Sequence, residues 1–326
     1  MSLKLAVVEK RWSLNKPFQI SREVTTHSET IICEITDGLW SGRGEAAGVS
    51  YDNETIESIT KQIETVAEIV EAGITRDALQ DVLPPGGARN SIDCALWDLE
   101  AKRSGRTIWQ MLGWDPEPVT TVYTVGIASP EVMEADAAAH RDYPFIKVKV
   151  GLGDPLEQIR AVNAGAPDSA IVVDANQAWT VDDLERYAAP LKEMGVEMIE
   201  QPVERGGDET LRDFQSPLPL CADESCATSA DLERLKGLYS MVNIKLDKTG
   251  GLTEGLKLAE QALSMGFELM VGNMLGSSLA MAPSFVIAQK CRYVDIDGPL
   301  LQTEDCAHAM KYKSGRVSVF ASDLWG

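Results

Sequence analysis

Apolar and polar positions along this chain follow two different rhythms, and the change between them divides it. Period-two alternation over Lys4–Trp12 and Thr30–Thr36 predicts two strands. Ile56, Ile59, Ile63, Val66, Ile69 and Val70 recur at helical spacing and predict a helix over Glu54–Ala72. After a break at Pro84-Pro85-Gly86-Gly87, the face Ile92, Ala95, Leu96 and Leu99 predicts a second helix over Ala88–Ser104. Residues 1–115 therefore read as an α+β domain, closed by the linker Asp115-Pro116-Glu117-Pro118.

Beyond the linker, short β-rich runs alternate with helical stretches. The runs are Val122–Ile127, Phe145–Val150, Ala170–Asn176, Met198–Pro202, Leu220–Glu224, Met241–Asp247, Phe267–Gly272 and Tyr293–Gly298. Strand plus helix repeated at roughly 25 residues predicts βα units and a parallel sheet. Eight strands predict an α/β fold of the closed (β/α)8 TIM-barrel type over residues 116–299. A doubly wound open sheet is the alternative, but no GxGxxG follows the first strands. Residues 300–326 lack the βα rhythm and are expected to return to the first domain.

Alternation also assigns faces within each strand. Ile146, Val148 and Val150 take the helix side, so Lys147 and Lys149 point into the barrel. The same rule turns Asp174 and Asn176 inward on the third strand, Met198 and Glu200 on the fourth, and Cys221 and Asp223 on the fifth. It turns Asn243, Lys245 and Asp247 inward on the sixth strand, and Asp295 and Asp297 on the eighth. The charged positions fall at the C-terminal strand ends, where such barrels carry active sites. Buried charge is costly unless paired or metal-bound, so these residues read as a site or as a structural ion-pair ring.

Asp174, Glu200 and Asp223 lie on adjacent strands. Converging carboxylates repel by up to ~4 kcal/mol per pair at about 4 Å and an effective dielectric of about 20. A divalent cation removes that penalty, and an all-oxygen ligand set points to Mg²⁺, with Mn²⁺ as a substitute. Lys149 and Lys245 flank the trio from either side, and burial beside Lys147 is expected to lower a lysine pKa. A metal between two opposed lysines suits proton abstraction next to a carboxylate. Asp295 and Asp297, with no base nearby on their strand, favour a cationic ligand over a solvated strand end or a second metal.

Composition narrows the partners. Hydrophobic residues make up 44% and charged residues 25%, ordinary for a globular protein. Lys+Arg number 30 against 50 Asp+Glu, a net charge of −20, which argues against nucleic acid and anionic membrane surfaces. Lys4, Glu9, Lys10 and Arg11 leave no apolar core for a signal peptide. The uncharged stretch Leu269–Gln289 is broken by Gly272, Asn273, Gly276 and Pro283, and predicts a strand, a loop and a buried helix rather than a membrane span. Six cysteines without a CxxC pair read as free thiols in a reducing cytoplasm. His27, His140 and His308 are scattered and read as surface or capping residues.

The set Lys147-Val148-Lys149, Asp174-Ala175-Asn176, Glu200-Gln201-Pro202, Asp223-Glu224-Ser225 and Lys245-Leu246-Asp247-Lys248-Thr249-Gly250-Gly251 resembles the enolase superfamily, muconate-lactonizing subgroup. Within it the chain is similar to the dipeptide epimerases, and most to the L-Ala-D/L-Glu epimerases of bacteria. The resemblance runs over essentially the whole chain and includes GARNSIDCALWDLE (Gly87–Glu100) and Asp295-Ile296-Asp297-Gly298-Pro299. It implies a capping domain on an enolase-like barrel, and an isomerase that epimerises a dipeptide by two-base 1,1-proton transfer through a metal-stabilised enediolate, in peptidoglycan recycling. Asp174, Glu200 and Asp223 match the Mg²⁺ ligands, and Lys149 and Lys245 match the acid/base pair. Asp295 and Asp297 match the pair that binds the substrate's α-ammonium; Lys147 and Thr124 match residues near the substrate. Arg22 falls in the capping-domain loop that contacts the substrate side chain, where a cation suits a glutamate γ-carboxylate. Whether the chain is a homo-oligomer stays open.

Two departures leave other readings standing. No histidine follows the seventh strand in Gly272-Asn273-Met274-Leu275-Gly276-Ser277-Ser278, which argues against the mandelate-racemase arrangement. That loop is also smaller and more polar than in the epimerases it resembles. A cycloisomerase or lyase on the same scaffold (muconate cycloisomerase or o-succinylbenzoate synthase) shares the metal and lysines, but its substrate has no ammonium for Asp295 and Asp297. A catalytically silent metal- or peptide-binding protein is the third reading, and it leaves the acid/base lysines unexplained.

Overall fold

The computed structural model describes residues 3–19, 24–151 and 153–326, so Arg22 lies outside the described residues. The first unit is a three-stranded antiparallel sheet covered by helices. Strand Lys4–Gln19 pairs with Val24–Thr36, which pairs in turn with Ser41–Ala46. The first two strands outrun the alternation that predicts them. Beyond Ser13 the register shifts and the hairpin is largely exposed on both faces, so no buried side imposes a period. The core is built by Ile31, Cys33 and Ile35 against Ile59, Ile63 and Val70 of helix Ile56–Glu71 and Ile92 and Leu99 of helix Gly87–Ser104. A short helix, Arg76–Val82, joins the two and was not apparent from the periodicity.

The strand Ser41–Ala46 (SGRGEA) was not expected either, because its two glycines imitate a turn. Their function is contact. A Cβ on Gly42 would stand 2.1 Å from the Ala95 carbonyl oxygen, and one on Gly44 2.2 Å from that of Ser91. Helix Gly87–Ser104 thus lies with its backbone directly on the strand.

The polar residues of that helix reach outward to the second unit. Arg89 donates to the carbonyls of Thr249 at 2.7 Å and Gly250 at 3.1 Å. The Asp93 carboxylate accepts from the Thr253 amide at 3.0 Å, beside the first turn of helix Leu252–Ser264, where an anion is favoured. Asp98 accepts from the amides of Arg43 and Gly326.

The second unit holds all eight expected strands: Tyr123–Val125, Phe145–Lys149, Ala170–Asp174, Val196–Glu200, Leu220–Ala222, Met241–Ile244, Glu268–Val271 and Tyr293–Val294. Each lies parallel to its sequence neighbour in one sheet. The first and last meet where the Val122 amide donates to the Val294 carbonyl at 2.8 Å, so the sheet closes on itself. Val122, Val172, Met198, Cys221, Met241, Met270 and Tyr293 form the apolar floor of the interior. Two residues further along each strand come Thr124, Asp174, Glu200, Asp223, Asn243, Gly272 and Asp295. Period two therefore stacks the charged layer directly on an apolar one.

Asp247 departs from this pattern. Lys245 is still extended, but a short helix, Leu246–Thr249, follows at once and swings Asp247 out of the barrel. Its carboxylate accepts from the amides of Ala47 and Gly48 of the capping unit at 3.0 and 2.9 Å. Leu269–Gln289 forms the end of a strand, a loop and helix Ser278–Ala288. No helix among the described residues is long and apolar enough to cross a membrane. The tail after Leu300 divides its contacts. Strands Tyr312–Lys313 and Arg316–Val317 pair with Val119–Thr120, Thr303 donates to Ser13 of the capping unit, and the Trp325 indole donates to the Cys94 carbonyl.

Gly44→Ala is expected to destabilise the protein by about 3 kcal/mol, at the upper end of overpacking costs, read as a lower urea midpoint. An unchanged midpoint would show that the helix does not rest on that strand.

Candidate active site

Asp174 and Glu200 end the third and fourth strands, and Asp223 directly follows the fifth. All three are buried, and one oxygen from each lies within 4.8 Å of the others. Each is held by a neighbour. Asp174 Oδ1 accepts from the Asn176 amide at 2.9 Å, Glu200 Oε1 from Asn243 Nδ2 at 2.8 Å, and Asp223 Oδ1 from Lys248 Nζ at 2.7 Å. Gln201 stands at φ 33°, in the left-handed region, and its side-chain oxygen accepts from the amides of Asp223 and Ser225. The Glu200-Gln201-Pro202 motif is thereby accounted for: one residue offers a carboxylate and the next shapes the adjoining strand end.

The donor set fits a hard divalent cation, being entirely carboxylate oxygen. Glu200 Oε2 and Asp223 Oδ2 are buried and make no aligned hydrogen bond, although a lysine Nζ lies 2.7 Å from each. Two oxygens in contact with charge but without a directed partner are what a metal-binding group requires.

Four lysines converge on these acids. Lys147 Nζ lies 2.7 Å from Glu200, 2.8 Å from Asp295 and 3.1 Å from Asp174. Lys149 pairs with Asp174 Oδ2 at 2.6 Å, and Lys245 with Asp223 Oδ2 at 2.7 Å, on opposite sides of the trio. Burial works against the charge of Asp174, but Lys149 and Lys147 outweigh it and hold its pKa at about 2. Burial and the charge of Asp174 push Glu200 up to about 8. At Lys245 the surrounding protein groups act in the opposite direction to the expected lowering. Burial and Lys147 do oppose its charge, yet Asp223, Glu200 and Glu224 hold the ammonium above its ordinary range. Lys147 is raised in the same way, by Asp295, Glu200 and Asp174 against burial.

Asp295 and Asp297 follow the eighth strand. Asp297 Oδ2 accepts from the backbone amide of Thr124 at 2.7 Å, and burial and Asp295 push its pKa up to about 8. Thr124, Lys147, Lys149, Lys245, Asp295 and Asp297 all line one cavity of about 410 Å³ between barrel and cap. The metal-type trio is in contact with its lysines. The cavity also takes in residues that sequence reasoning missed. Tyr51, Ser50 and Gly48 come from the capping unit, where no barrel period could point to them. Asn273 and Leu275 come from the loop after the seventh strand, and His27, expected at the surface, lies on the wall. Lys248 belongs to the Lys245–Gly251 motif, but strand alternation gives it no place in the site, because the helical turn brings it to Asp223.

The matching family models are the mandelate racemase / muconate lactonizing enzyme N-terminal domain over residues 2–113 and the enolase C-terminal domain-like model over residues 131–322. An N-acetyl-D-glutamate racemase from Pseudoalteromonas is 43% identical over 91% of this chain and 95% of its own length. The L-Ala-D/L-Glu epimerase of Escherichia coli is 39% identical over 95% of this chain and 98% of its own. A solved enolase family member from Agrobacterium tumefaciens, with homology to dipeptide epimerases and bound sodium and L-Ala-L-Glu, is 43% identical with a TM-score of 0.97, covering 99% of this chain and 100% of that one. Solved dipeptide epimerases at 25%, 26% and 28% identity are complexed with Mg and a dipeptide. The two family models together span most of its length: the chain belongs to the mandelate racemase / muconate lactonizing enzyme family of the enolase superfamily.

Proposed function

We propose that the chain is an Mg²⁺-dependent dipeptide epimerase that inverts the α-carbon of the C-terminal residue, with L-Ala-D/L-Glu as the favoured substrate. The observation that carries this reading is the placement of Lys149 and Lys245. They rise from the second and sixth strands and reach the carboxylate trio from opposite sides. An α-carbon held between them loses its proton to one lysine and receives one from the other on the opposite face. Asp174, Glu200 and Asp223 would hold Mg²⁺, which when bound supplies positive charge for the substrate's α-carboxylate and for the electron density that builds there as the proton leaves.

Asp295 and Asp297 receive the α-ammonium, Thr124 fixes Asp297 through its amide, and Lys147 fixes Asp295 and Glu200. Arg22 is proposed for the γ-carboxylate. The names of the two relatives share a glutamate acylated on nitrogen. The paired carboxylates favour the dipeptide, which has an ammonium, over N-acetylglutamate or a cycloisomerase substrate, which do not. The free cysteines agree with a reducing cytoplasm.

In D₂O with Mg²⁺, the wild type is expected to exchange the α-proton of L-Ala-L-Glu and to form its diastereomer, followed by mass and chiral chromatography. A chelator is expected to stop the reaction and added Mg²⁺ to restore it. Lys149→Ala and Lys245→Ala are each expected to lower epimerisation by roughly 10²–10⁴-fold; full activity in either would rule out the two-base scheme. Turnover of N-acetylglutamate or of muconate without turnover of any dipeptide would replace the proposed substrate. Lys248→Ala, which removes the partner that holds Asp223 Oδ1, is expected to weaken Mg²⁺ binding about 10- to 100-fold by calorimetric titration.

A further inference from the structure

The loop after the seventh strand is held rigid from both sides. The buried Glu45 carboxylate of the capping unit accepts from Trp12 Nε1 at 2.9 Å, Thr30 Oγ1 at 2.8 Å, the Ser277 amide at 3.2 Å and the Ser277 hydroxyl. Asp305 in the tail accepts from the amide and hydroxyl of Ser278. Between these pins and the strand the backbone turns through Leu275 at φ 67° and Gly276 at φ 145°, a costly conformation for leucine that persists only when its surroundings fix it.

Asn273 stands at the start of this turn and spends its side chain on the eighth strand. Its Nδ2 donates to the Asp295 carbonyl at 2.8 Å and to Asp295 Oδ1 at 3.2 Å, while its Oδ1 accepts from the Leu275 amide at 2.8 Å. Gly298 keeps the space open, since a Cβ there would stand 3.0 Å from Asn273 Oδ1. Lys147 occupies the other carboxylate oxygen, Oδ2, at 2.8 Å. An ammonium acts as a near-isotropic point charge, whereas an amide N–H is directional, and the terminal torsion of an aspartate is otherwise broad. Asn273, whose amide is itself fixed on the Asp295 carbonyl, is therefore a directional contact on the plane of the carboxylate. A carboxylate has about four acceptor positions; Asn273, Lys147 and the Asp297 carboxyl engage three, which leaves room for a ligand in the cavity that Asn273 and Asp295 both line.

We propose that Asn273 is a positioning residue which, by fixing the Asp295 carboxylate, sets the preference of the site for substrates bearing an α-ammonium over those with a neutral acyl group. The inference rests on the ammonium role proposed above for Asp295 and Asp297. It assigns to the seventh-strand loop a task in substrate choice that acts through the eighth strand.

The test compares L-Ala-L-Glu with N-propionyl-L-glutamate, which has the same shape without the amino group. KM for the dipeptide is measured by α-proton exchange, and Ki for the propionyl compound by competition against it. In the wild type the ratio Ki/KM is expected to be about 10 to 100, the range of a charge-assisted hydrogen bond. Asn273→Ala is expected to cut that ratio by about tenfold through a higher KM, with kcat, Ki and the melting temperature nearly unchanged. Asn273→Ser, smaller but polar, is the variant read if the alanine variant does not fold. A wild-type ratio retained in the folded variant overturns the role of Asn273. A parallel rise in KM and Ki overturns it too, because that marks a general loss of shape. A wild-type ratio near one overturns the ammonium role of the aspartates, and absence of dipeptide exchange in the wild type overturns the epimerase reading itself.

Discussion

A single buried ammonium, that of Lys147, touches carboxylates from the third, fourth and eighth strands. None of these acids could occupy the interior alone, because an ionised carboxylate in an apolar surround costs several kcal/mol or more. Paired through one lysine they become affordable together, and each then takes a fixed place around the barrel mouth. Lys149, Lys245 and Lys248 extend the same arrangement to either side. The result is a network in which Asp174, Glu200, Asp223 and Asp295 each have a lysine ammonium within 2.8 Å. Removing one member would leave its partners unpaired, so the network constrains the chemistry and the fold at once.

The layer beneath explains how the network is carried. Val172, Met198, Cys221 and Tyr293 fill the interior at one level, and Asp174, Glu200, Asp223 and Asp295 lie two positions further along. The strands end almost at once above that level, and the chain turns away. At the sixth strand this turn separates two charged residues that alternation puts on one face. Lys245 stays in the barrel while Asp247, two residues on, anchors the segment Ala47–Gly48 of the cap. The cap thus sits on the strand end that bears Lys245, and the cavity is formed by both units.

Much of this was legible in the chain because it follows from period two. The eight strands, the facing of Lys147, Lys149, Asp174, Glu200 and Asp223, and the floor residues Met198 and Cys221 need only alternation and a closed sheet. What alternation could not reach lies where another rule prevails. Asp247 was read as inward because a helical turn after Lys245 leaves no trace in a run of apolar and charged residues. The strand Ser41–Ala46 was invisible because its glycines serve a helix far along the chain. Lys245 was expected to be easily deprotonated from burial and a like charge, both of which exist, but the carboxylates around it act more strongly. Asn273 showed only that no histidine stood there; its bond to Asp295 depends on two loops meeting in space.

The helix Gly87–Ser104 has a bearing on how such proteins diversify. Arg89 and Asp93 satisfy the Thr249 and Gly250 carbonyls and the Thr253 amide, so the seam between the two units holds side-chain bonds to main-chain groups beside the apolar packing of Cys94 and Trp97. A cap transplanted from another barrel would leave those groups orphaned unless it brought an arginine and an aspartate one helical turn apart. Wholesale exchange of caps is therefore a poor evolutionary route here. Small changes in the loops above the cavity leave the seam whole, and recognition can drift there while the interlocked frame and its lysines stay as they are.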